Sequence, residues 1–513
     1  MNRLSILFMV LAAALMASCS CNGGGEKDAD AEDDPDMETG EDGLAEETGP
    51  EDGPAEEAVP DPVEDETAPD AEDLDAADDD VDEEEGDVPP PPPWPEWAFR
   101  HWVWEDESTQ ASAIALVDGY LERDVPVAAI IIDSPWETGY NTFAFDPALF
   151  PDAQGMVDYF HSVGVRVMLW IVGGINTDVP VLYDEAADAN YFMKTDPFTG
   201  PATVDWWKGT GSLIDFFNPA AAAWWHALVD DALALGIDGW KCDGLDYYAI
   251  YVRYSPGLHA YVSRVEYSHA YYRDFFDYTR SVLGPDRIIT ARPVDNYGTG
   301  IGGETVSFAP RDINWAGWVG DQDPSFDGLR AALNNMYHSS GLGYVGFGSD
   351  IGGYREDGSI PGGRTKELFI RWAELGALCP VMENGGGGEH RPWMFDEETL
   401  EIYRSFVNLH DALLPYLMAQ GAAAFAAGRS LMTFFDAAEY HYLLGPDVLV
   451  APMLEEGTAR TVQFPPGGYW LYLFDRTRAY AGGTSETITV PLSEFPVFLR
   501  AGSEIETTLG TDW

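Results

Sequence analysis

Five polar residues stand where apolar, strand-like stretches of this 513-residue chain end: Asp133, Asp243, Arg292, Asp321 and Asp350. If these stretches are strands of one (β/α)₈ barrel, their carboxyl ends meet on a single rim, which is where such barrels carry their chemistry. Four carboxylates on one rim repel each other and raise at least one pKa, which is unfavourable unless the rim binds something. We therefore expect these residues to form the functional site.

Aromatic residues are frequent near the same strand ends. Carboxylates accept hydrogen bonds from hydroxyl groups, and aromatic faces cover the apolar side of a ring, so the combination is typical of a sugar site. Paired carboxylates without metal-ligand spacing or a phosphate-binding loop favour cleavage of a glycosidic bond. The tryptophans predicted to lie on the rim are Trp102, Trp104, Trp136, Trp170, Trp240, Trp318 and Trp393.

Other chemistries find little support. The histidines lack metal-site spacing, and no Gly-x-Ser-x-Gly turn follows a strand. Cys242 adjoins Asp243, but strand alternation points its side chain to the opposite face, so we expect a small buried core residue. We predict no metal and no cofactor.

The stretch that carries Asp243 is the most informative in the chain. A helical pattern over 218–235 ends at Gly236, and a buried strand, Gly239–Asp243, follows. Asp243 could instead cap the next helix, and Asp246 could be either a substrate contact or a helix cap.

Strand-like and helix-like stretches alternate regularly after Trp94, as a (β/α)₈ barrel requires. The eight predicted strands are 97–104, 127–133, 166–172, 239–243, 287–292, 314–321, 343–350 and 377–383. The predicted helices between them include 112–123, 153–163, 269–283, 326–339 and 365–375. The fold class is therefore α/β, with a barrel over 94–424.

After a long predicted helix over 398–420, the pattern changes to short strands and turns. Stretches 440–450, 460–464, 469–474, 486–491 and 498–500 predict a small C-terminal antiparallel β-sandwich over 425–513.

The amino-terminal residues indicate export. An apolar run over 4–17 predicts a signal peptide, 1–18, and Leu15-Met-Ala-Ser-Cys19 resembles the lipobox of bacterial lipoproteins, with Cys19 as the lipidated residue. Residues 22–93 contain 32 Asp and Glu but only one Lys, so 19–93 is predicted to be a disordered acidic tether. We expect the protein to be lipid-anchored in the periplasm or at the cell surface.

The charge of the chain argues against some partners. Its net charge of −62 disfavours nucleic acid and anionic membrane surfaces. A membrane contact is therefore expected through the lipid alone, and the oligomeric state is left open.

Four segments, in this order, resemble glycoside hydrolase family 31, the α-glucosidase and α-xylosidase family. They are Gly239-Trp-Lys-Cys-Asp243, Trp318-Val-Gly-Asp321, Gly348-Ser-Asp-Ile-Gly-Gly353 and Arg371-Trp-Ala-Glu-Leu-Gly376. Supporting matches stand at Asp133, 145–151, 215–219 and 447–452, so the resemblance covers nearly all of the chain after Trp97.

The resemblance implies a retaining α-glycoside hydrolase that acts on a terminal α-linked glucoside or xyloside. Asp243 is then the nucleophile and Asp321 the general acid/base, with carboxyl groups roughly 5–5.5 Å apart. The residues implied to hold the sugar are Asp133, Arg292, Trp318, Asp350 and His390. The expected partner is an oligosaccharide or another α-glycoside.

The chain departs from the family pattern at several places. Family members usually carry a β-sandwich before the barrel, whereas here the predicted tether leads almost directly into the first predicted strand. Extra length at 298–304 leaves Arg311 as an alternative to Arg292, and a loop with Gly385–Gly388 precedes His390. Three other functions remain open: an α-transglycosylase, an α-galactosidase, and a surface lipoprotein that binds carbohydrate without catalysis. The sugar, the linkage and the membrane leaflet are not determined.

Overall fold

The structure is a computed structural model that describes residues 91–243, 253–294, 308–355, 363–511 and 513. The predicted signal peptide, the lipidated Cys19 and the acidic tether up to residue 90 lie outside these ranges. So do Asp246 and the extra length at 298–304.

Eight parallel strands form the barrel. Six of them pair in the order β10-β7-β3-β2-β1-β13, and β11 pairs with β12. In this register, Lys241 of β7 lies between Trp170 of β3 and Thr290 of β10. The strands are β1 (His101–Glu105), β2 (Ala129–Ile132), β3 (Arg166–Ile171), β7 (Gly239–Cys242), β10 (Ile288–Ala291), β11 (Gly317–Trp318), β12 (Phe347–Gly348) and β13 (Met382–Asn384).

Two further contacts join the six-stranded sheet to the β11–β12 pair. The amide nitrogen of Ile351, just after β12, donates to the carbonyl oxygen of Glu383 in β13 at 3.1 Å. On the other side, the Asn314 side chain donates to the backbone oxygen of Ala291 at 2.9 Å and accepts from its nitrogen at 3.3 Å. The predicted α/β barrel is therefore confirmed.

The strands are shorter than predicted, most of all β11 and β12. Their glycines bring neighbouring backbones very close: a Cβ atom on Gly348 would lie 2.3 Å from the Val381 carbonyl oxygen. Residues Glu96–Phe99, predicted as the start of a strand, form a 3₁₀ turn instead.

The predicted helices are all present, with small shifts of their ends. The long helix predicted over 398–420 extends to Ala426, and α5 starts earlier than predicted, at Arg264, because Ser263 and Glu266 form a capping box before it. No helix in the described ranges is long and apolar enough to cross a membrane. The helices are α1 (Gln110–Leu121), α2 (Ala153–Ser162), α3 (Pro180–Asp188), α4 (Pro219–Leu233), α5 (Arg264–Leu283), α6 (Phe326–Gly341), α7 (Lys366–Gly376), α8 (Glu397–Ala426) and α9 (Glu504–Thr508).

Two excursions from the barrel were not predicted. Between β3 and α4 the chain forms α3 and a three-stranded antiparallel sheet of β4 (Gly174–Asn176), β5 (Thr203–Trp206) and β6 (Gly209–Leu213). A hairpin of β8 (Arg253–Ser255) and β9 (Ala260–Val262) precedes α5. These strands are short and rich in Gly, Thr and Ser, so no clear apolar alternation marks them.

The C-terminal domain is the predicted antiparallel β-sandwich. A six-stranded sheet, β14-β15-β16-β21-β18-β19, packs against the pair β17-β20 around Val462, Trp470 and Phe498. The prediction of a single strand over 440–450 is wrong. Gly445 and Pro446 turn the chain between β15 and β16, and Gly445 has a φ of +60°. The strands are β14 (Met432–Phe434), β15 (Tyr442–Leu444), β16 (Val448–Val450), β17 (Ala459–Gln463), β18 (Tyr469–Tyr472), β19 (Asp475–Ala481), β20 (Ser485–Thr489) and β21 (Val497–Arg500).

Arg371, in α7, ties the two domains together. Its guanidinium is fully buried, pairs with Glu374 at 3.0 Å, and donates to the carbonyl oxygens of Glu494 at 2.8 Å and Gly457 at 3.2 Å. The Arg371-Trp-Ala-Glu segment therefore holds the β domain against the barrel rather than contributing to the rim.

Candidate active site

β7 presents its residues alternately to the barrel interior and to the surrounding helices. Trp240 faces outward and donates from Nε1 to the Thr279 hydroxyl of α5 at 2.8 Å. Cys242 is buried on the same outer side, as expected. Lys241 and Asp243 face inward, toward the carboxyl-end rim.

The Asp243 carboxylate is held by groups from both neighbouring strands. Trp170, in β3, donates from Nε1 to Oδ2 at 3.0 Å, and Arg292, after β10, approaches Oδ1 with Nη2 at 3.3 Å. Asp243 is 7 % exposed, so these contacts fix a nearly buried carboxylate with one edge open to the pocket.

Arg292 links the two predicted catalytic carboxylates. The same Nη2 atom that approaches Asp243 at 3.3 Å donates to Oδ2 of Asp321 at 2.6 Å, while the guanidinium lies 3.5 Å above the Trp318 ring. The two contacting oxygens can be no farther apart than the sum of these two distances. This close approach of the two carboxylates fits the roughly 5–5.5 Å separation of retaining glycosidases better than the roughly 6.5–9.5 Å separation of inverting ones, which leaves room for a water molecule.

Asp321 adopts a left-handed backbone conformation, with φ +73°. Asp350 stabilises this turn, because its Oδ2 accepts from the Asp321 nitrogen and its Oδ1 accepts from Trp318 Nε1, both at 2.9 Å. Asp350 therefore hydrogen-bonds to the protein itself and orients the segment that carries Asp321.

Gly320→Ala is expected to displace Asp321. A Cβ atom on Gly320 would lie 1.9 Å from Trp318 Nε1 and 2.2 Å from Asp350 Oδ2, so both hydrogen bonds to Asp350 would be lost. Activity should fall by about 10²-fold or more, because a misplacement of 1 Å can cost that much. Steady-state kinetics checks the loss, and Gly341→Ala, where a Cβ meets nothing within 4 Å, is the control. Unchanged kinetics would contradict the assignment.

Lys241 occupies the floor of the site. Its ammonium group donates to Oδ2 of Asp133 at 2.8 Å and lies 3.5 Å from the Trp104 ring centre and 4.3 Å from that of Trp318. The Ser134 nitrogen donates to the other oxygen of Asp133 at 2.8 Å. The cation offsets part of the negative charge that the rim carboxylates bring together.

Burial raises the pKa of several carboxyl groups in the site. The pKa of Asp133 rises to about 6, despite the opposing effect of Lys241, and that of Asp350 also rises to about 6. Glu383, in β13, is fully buried, and among the described residues its carboxyl oxygens have no hydrogen-bond partner. Burial and the nearby Asp350 raise the pKa of Glu383 to about 8.

The raised pKa values of Asp133 and Asp350 predict an acid limit to activity. Both groups lose their charge as pH falls through about 6, rather than through the ordinary value of 3.8. Asp133 then weakens its pairing with Lys241 and its ability to accept from substrate hydroxyls. We expect kcat/KM to fall below pH 6 with an apparent pKa that belongs to the coupled groups. A pH–rate profile checks this expectation. An acid limb of kcat/KM with an apparent pKa near 4 would contradict it.

The pocket above these residues has a volume of about 370 Å³. Asp133, Asp243, Trp318 and Asp321 line it, as do Lys241 and two of the predicted rim tryptophans, Trp104 and Trp170. The lining residues that sequence reasoning did not select are Asp106, Ser134, Trp207, Lys208, Tyr354 and Arg355. Arg292 donates to the carboxylate of Asp321, and Asp350 accepts from the Asp321 backbone nitrogen.

His390 does not line the pocket. Its buried imidazole contacts the Gly353 carbonyl oxygen at 3.2 Å, and burial lowers its pKa well below 6.5. The alternative Arg311 lies elsewhere, donating to the Leu342 carbonyl oxygen at 3.3 Å. The structure therefore places Arg292, not Arg311, beside Asp243 and Asp321.

The prediction that seven tryptophans surround the rim is wrong for four of them. Trp102, Trp136 and Trp240 are fully buried away from the pocket, and Trp393 packs under the Arg123 guanidinium at 4.6 Å. Within the described residues, no group of His, Cys, Asp and Glu side chains could hold a metal ion.

Comparison with known families gives two consecutive matches. Residues 91–420 match the TIM-barrel domain of glycosyl hydrolases family 31, and residues 429–505 match the C-terminal domain of the same family.

The chain is also similar to characterised proteins. An alpha-xylosidase, XylQ, of Lactiplantibacillus pentosus is 28 % identical over 80 % of this chain and 54 % of its own length. A sulfoquinovosidase of Agrobacterium fabrum is 30 % identical over 69 % of this chain and 54 % of its own. The chain thus spans about half the length of these relatives.

Solved structures share the fold. A GH31 alpha-xylosidase from a soil metagenome, complexed with xylose, superposes with a TM-score of 0.67 at 23 % identity, over 82 % of this chain and 65 % of that one.

Proposed function

Because the chain belongs to glycosyl hydrolase family 31, we propose that it is a retaining α-glycoside hydrolase that releases a terminal α-linked sugar. The observation that carries the proposal is the shared contact of Asp243 and Asp321 with one Arg292 nitrogen, inside a pocket of polar and aromatic residues. The short separation favours attack by a carboxylate over attack by an intervening water molecule.

In this mechanism Asp243 attacks the anomeric carbon and Asp321, in its protonated form, gives its proton to the departing oxygen. Trp170 and Arg292 hold the Asp243 carboxylate in place for the attack. Water then resolves the glycosyl-enzyme, with Asp321 taking a proton back, so the anomeric configuration is retained.

Asp133 and Trp318 bind the terminal sugar in this proposal. Asp133, fixed by Lys241 and Ser134, accepts from sugar hydroxyls, and Trp318 presents part of its ring to the pocket. Arg292 and Asp350 position the two catalytic residues, and His390 contacts the Gly353 carbonyl oxygen instead of reaching the sugar.

The sugar is proposed to be an α-glucoside or α-xyloside. This proposal is supported by the names of similar proteins, which include alpha-xylosidases and the 1,3-alpha-isomaltosidase of Kribbella flavida. Hydrolysis of p-nitrophenyl α-glycosides of glucose, xylose and galactose by the detergent-solubilised full-length chain tests it. Release from none of them, with no binding of the free sugars by calorimetry, would favour a surface protein without catalysis.

The protein is further proposed to be lipid-anchored to the cell envelope through Cys19, on the lipobox resemblance of Leu15–Cys19. Metabolic labelling with an alkyne fatty acid tests this, because Cys19→Ser should abolish the label and Cys21→Ser should leave it. Equal labelling of both variants would contradict the anchor.

A further inference from the structure

The outer wall of the pocket comes from an unpredicted hairpin. β5 and β6 are joined by Trp207 and Lys208, and both residues line the pocket that contains Asp243. Trp207 is 49 % exposed, whereas the other tryptophans that line the pocket, Trp104, Trp170 and Trp318, are at most 2 % exposed. An aromatic face at the mouth of a pocket is thus open to solvent.

This hairpin tip is held rigidly. The Trp206 ring stacks on Trp170 at 6.3 Å and 6°, and its Nε1 donates to the Asn176 side chain at 2.7 Å. Asn176 in turn donates to the Lys208 carbonyl oxygen at 2.9 Å. Trp207 packs edge-on against Trp206 at 5.1 Å. Since Trp170 also contacts Asp243, three indoles connect the nucleophile to the pocket mouth.

Polar groups flank the exposed ring. Lys208 pairs with Glu107, after β1, at 3.0 Å, which ties the hairpin tip to the opposite loop. Across the pocket, the Tyr354 hydroxyl donates to Asp106 at 3.1 Å, and Tyr354 stacks over Trp104. The mouth therefore combines one apolar face with hydrogen-bonding groups, which suits a pyranose ring.

We propose that Trp207 is the stacking platform of a leaving-group subsite that takes the sugar next to the scissile bond, so that the natural substrate is an α-linked di- or oligosaccharide. This inference rests on the proposed glycosidase activity and specifies its substrate class.

The test compares substrates with and without a sugar leaving group. α-Glucosyl and α-xylosyl fluorides report on the chemistry alone, because fluoride is too small to reach Trp207, whereas isomaltose, maltose and isoprimeverose place a glucose there. With the full-length chain, Trp207→Ala should lower kcat/KM on the hydrolysed disaccharide by about tenfold to a hundredfold. The same variant should leave kcat/KM on the glycosyl fluoride unchanged. Trp207→Phe should restore part of the loss.

Phe198→Ala is the matched control, since Phe198 is an aromatic residue of the same excursion and is 95 % exposed. Phe198→Ala should leave kcat/KM unchanged on both the disaccharide and the fluoride. Equal kinetics of Trp207→Ala and the parent on the disaccharide, or an equal loss on disaccharide and fluoride, would overturn the subsite. If the parent hydrolyses neither fluoride, the glycosidase proposal itself fails, which is a distinct outcome.

Discussion

Asp243→Ala is expected to lower kcat by at least about 10⁴-fold on every substrate, because it removes the carboxylate that forms the covalent intermediate. Of the other carboxylates described in the pocket, Asp321 has the role of acid/base and is paired with Arg292, and Asp133 is paired with Lys241, so neither is expected to take over the attack. The loss should therefore be similar for aryl glycosides, disaccharides and glycosyl fluorides. Steady-state kinetics on these three classes checks the expectation.

Asp321→Ala is the matched control, because it removes a carboxylate of the same pocket with a different role. The loss of activity in this variant should depend on the leaving group. It should be about 10²- to 10⁴-fold for a disaccharide and much smaller for a fluoride, because fluoride departs without receiving a proton. Azide should rescue both variants, giving a β-glycosyl azide with Asp243→Ala and an α-glycosyl azide with Asp321→Ala. The reverse pattern of anomers would exchange the two roles.

Lys241→Met is expected to lower the free energy of unfolding by about 3–5 kcal/mol, because it leaves Asp133 as an uncompensated buried charge. Lys241 is 2 % exposed and also contacts the faces of Trp104 and Trp318, so the substitution removes a buried cation from between these groups. Equilibrium urea unfolding of the full-length chain, followed by tryptophan fluorescence, measures the change.

The pH dependence of this loss identifies its cause. The pKa of Asp133 is raised to about 6 in the folded protein, so below pH 6 the group becomes neutral and needs no cation. The destabilisation by Lys241→Met should therefore be smaller at pH 5 than at pH 7.5. Lys366→Met removes solvent-exposed pairs with Asp396 and Glu398 and should cost much less than Lys241→Met. A loss that does not change with pH would point to packing instead of charge.

The barrel could be predicted because its strands are apolar runs that end in a polar residue. Asp133, Asp243 and Asp350 each follow such a run directly, so chain position alone places them on one rim. The short strands β11 and β12 were predicted too long, since their pairing depends on close backbone approach at glycines such as Gly348, which periodicity does not reveal.

Other parts of the site depend on contacts distant in sequence. Lys241 was noticed only as part of a motif, and its pairing with Asp133 joins residues 108 positions apart. Glu383 was predicted only as the last residue of the eighth strand, and its burial close to Asp350 had no signal in the sequence. Trp207 was missed because Gly- and Thr-rich strands carry it, and its only sequence signal is the adjacent pair of tryptophans in a polar stretch.

The most direct test of the account is to identify the residue that becomes glycosylated. The full-length chain would be incubated with 5-fluoro-α-glucosyl fluoride or 5-fluoro-α-xylosyl fluoride, which slow the second step, and then digested and analysed by mass spectrometry. We predict one fluorosugar, carried by Asp243. A fluorosugar on Asp321, or turnover of the substrate with inversion and no covalent adduct, would contradict the retaining mechanism that the Asp243–Arg292–Asp321 geometry supports.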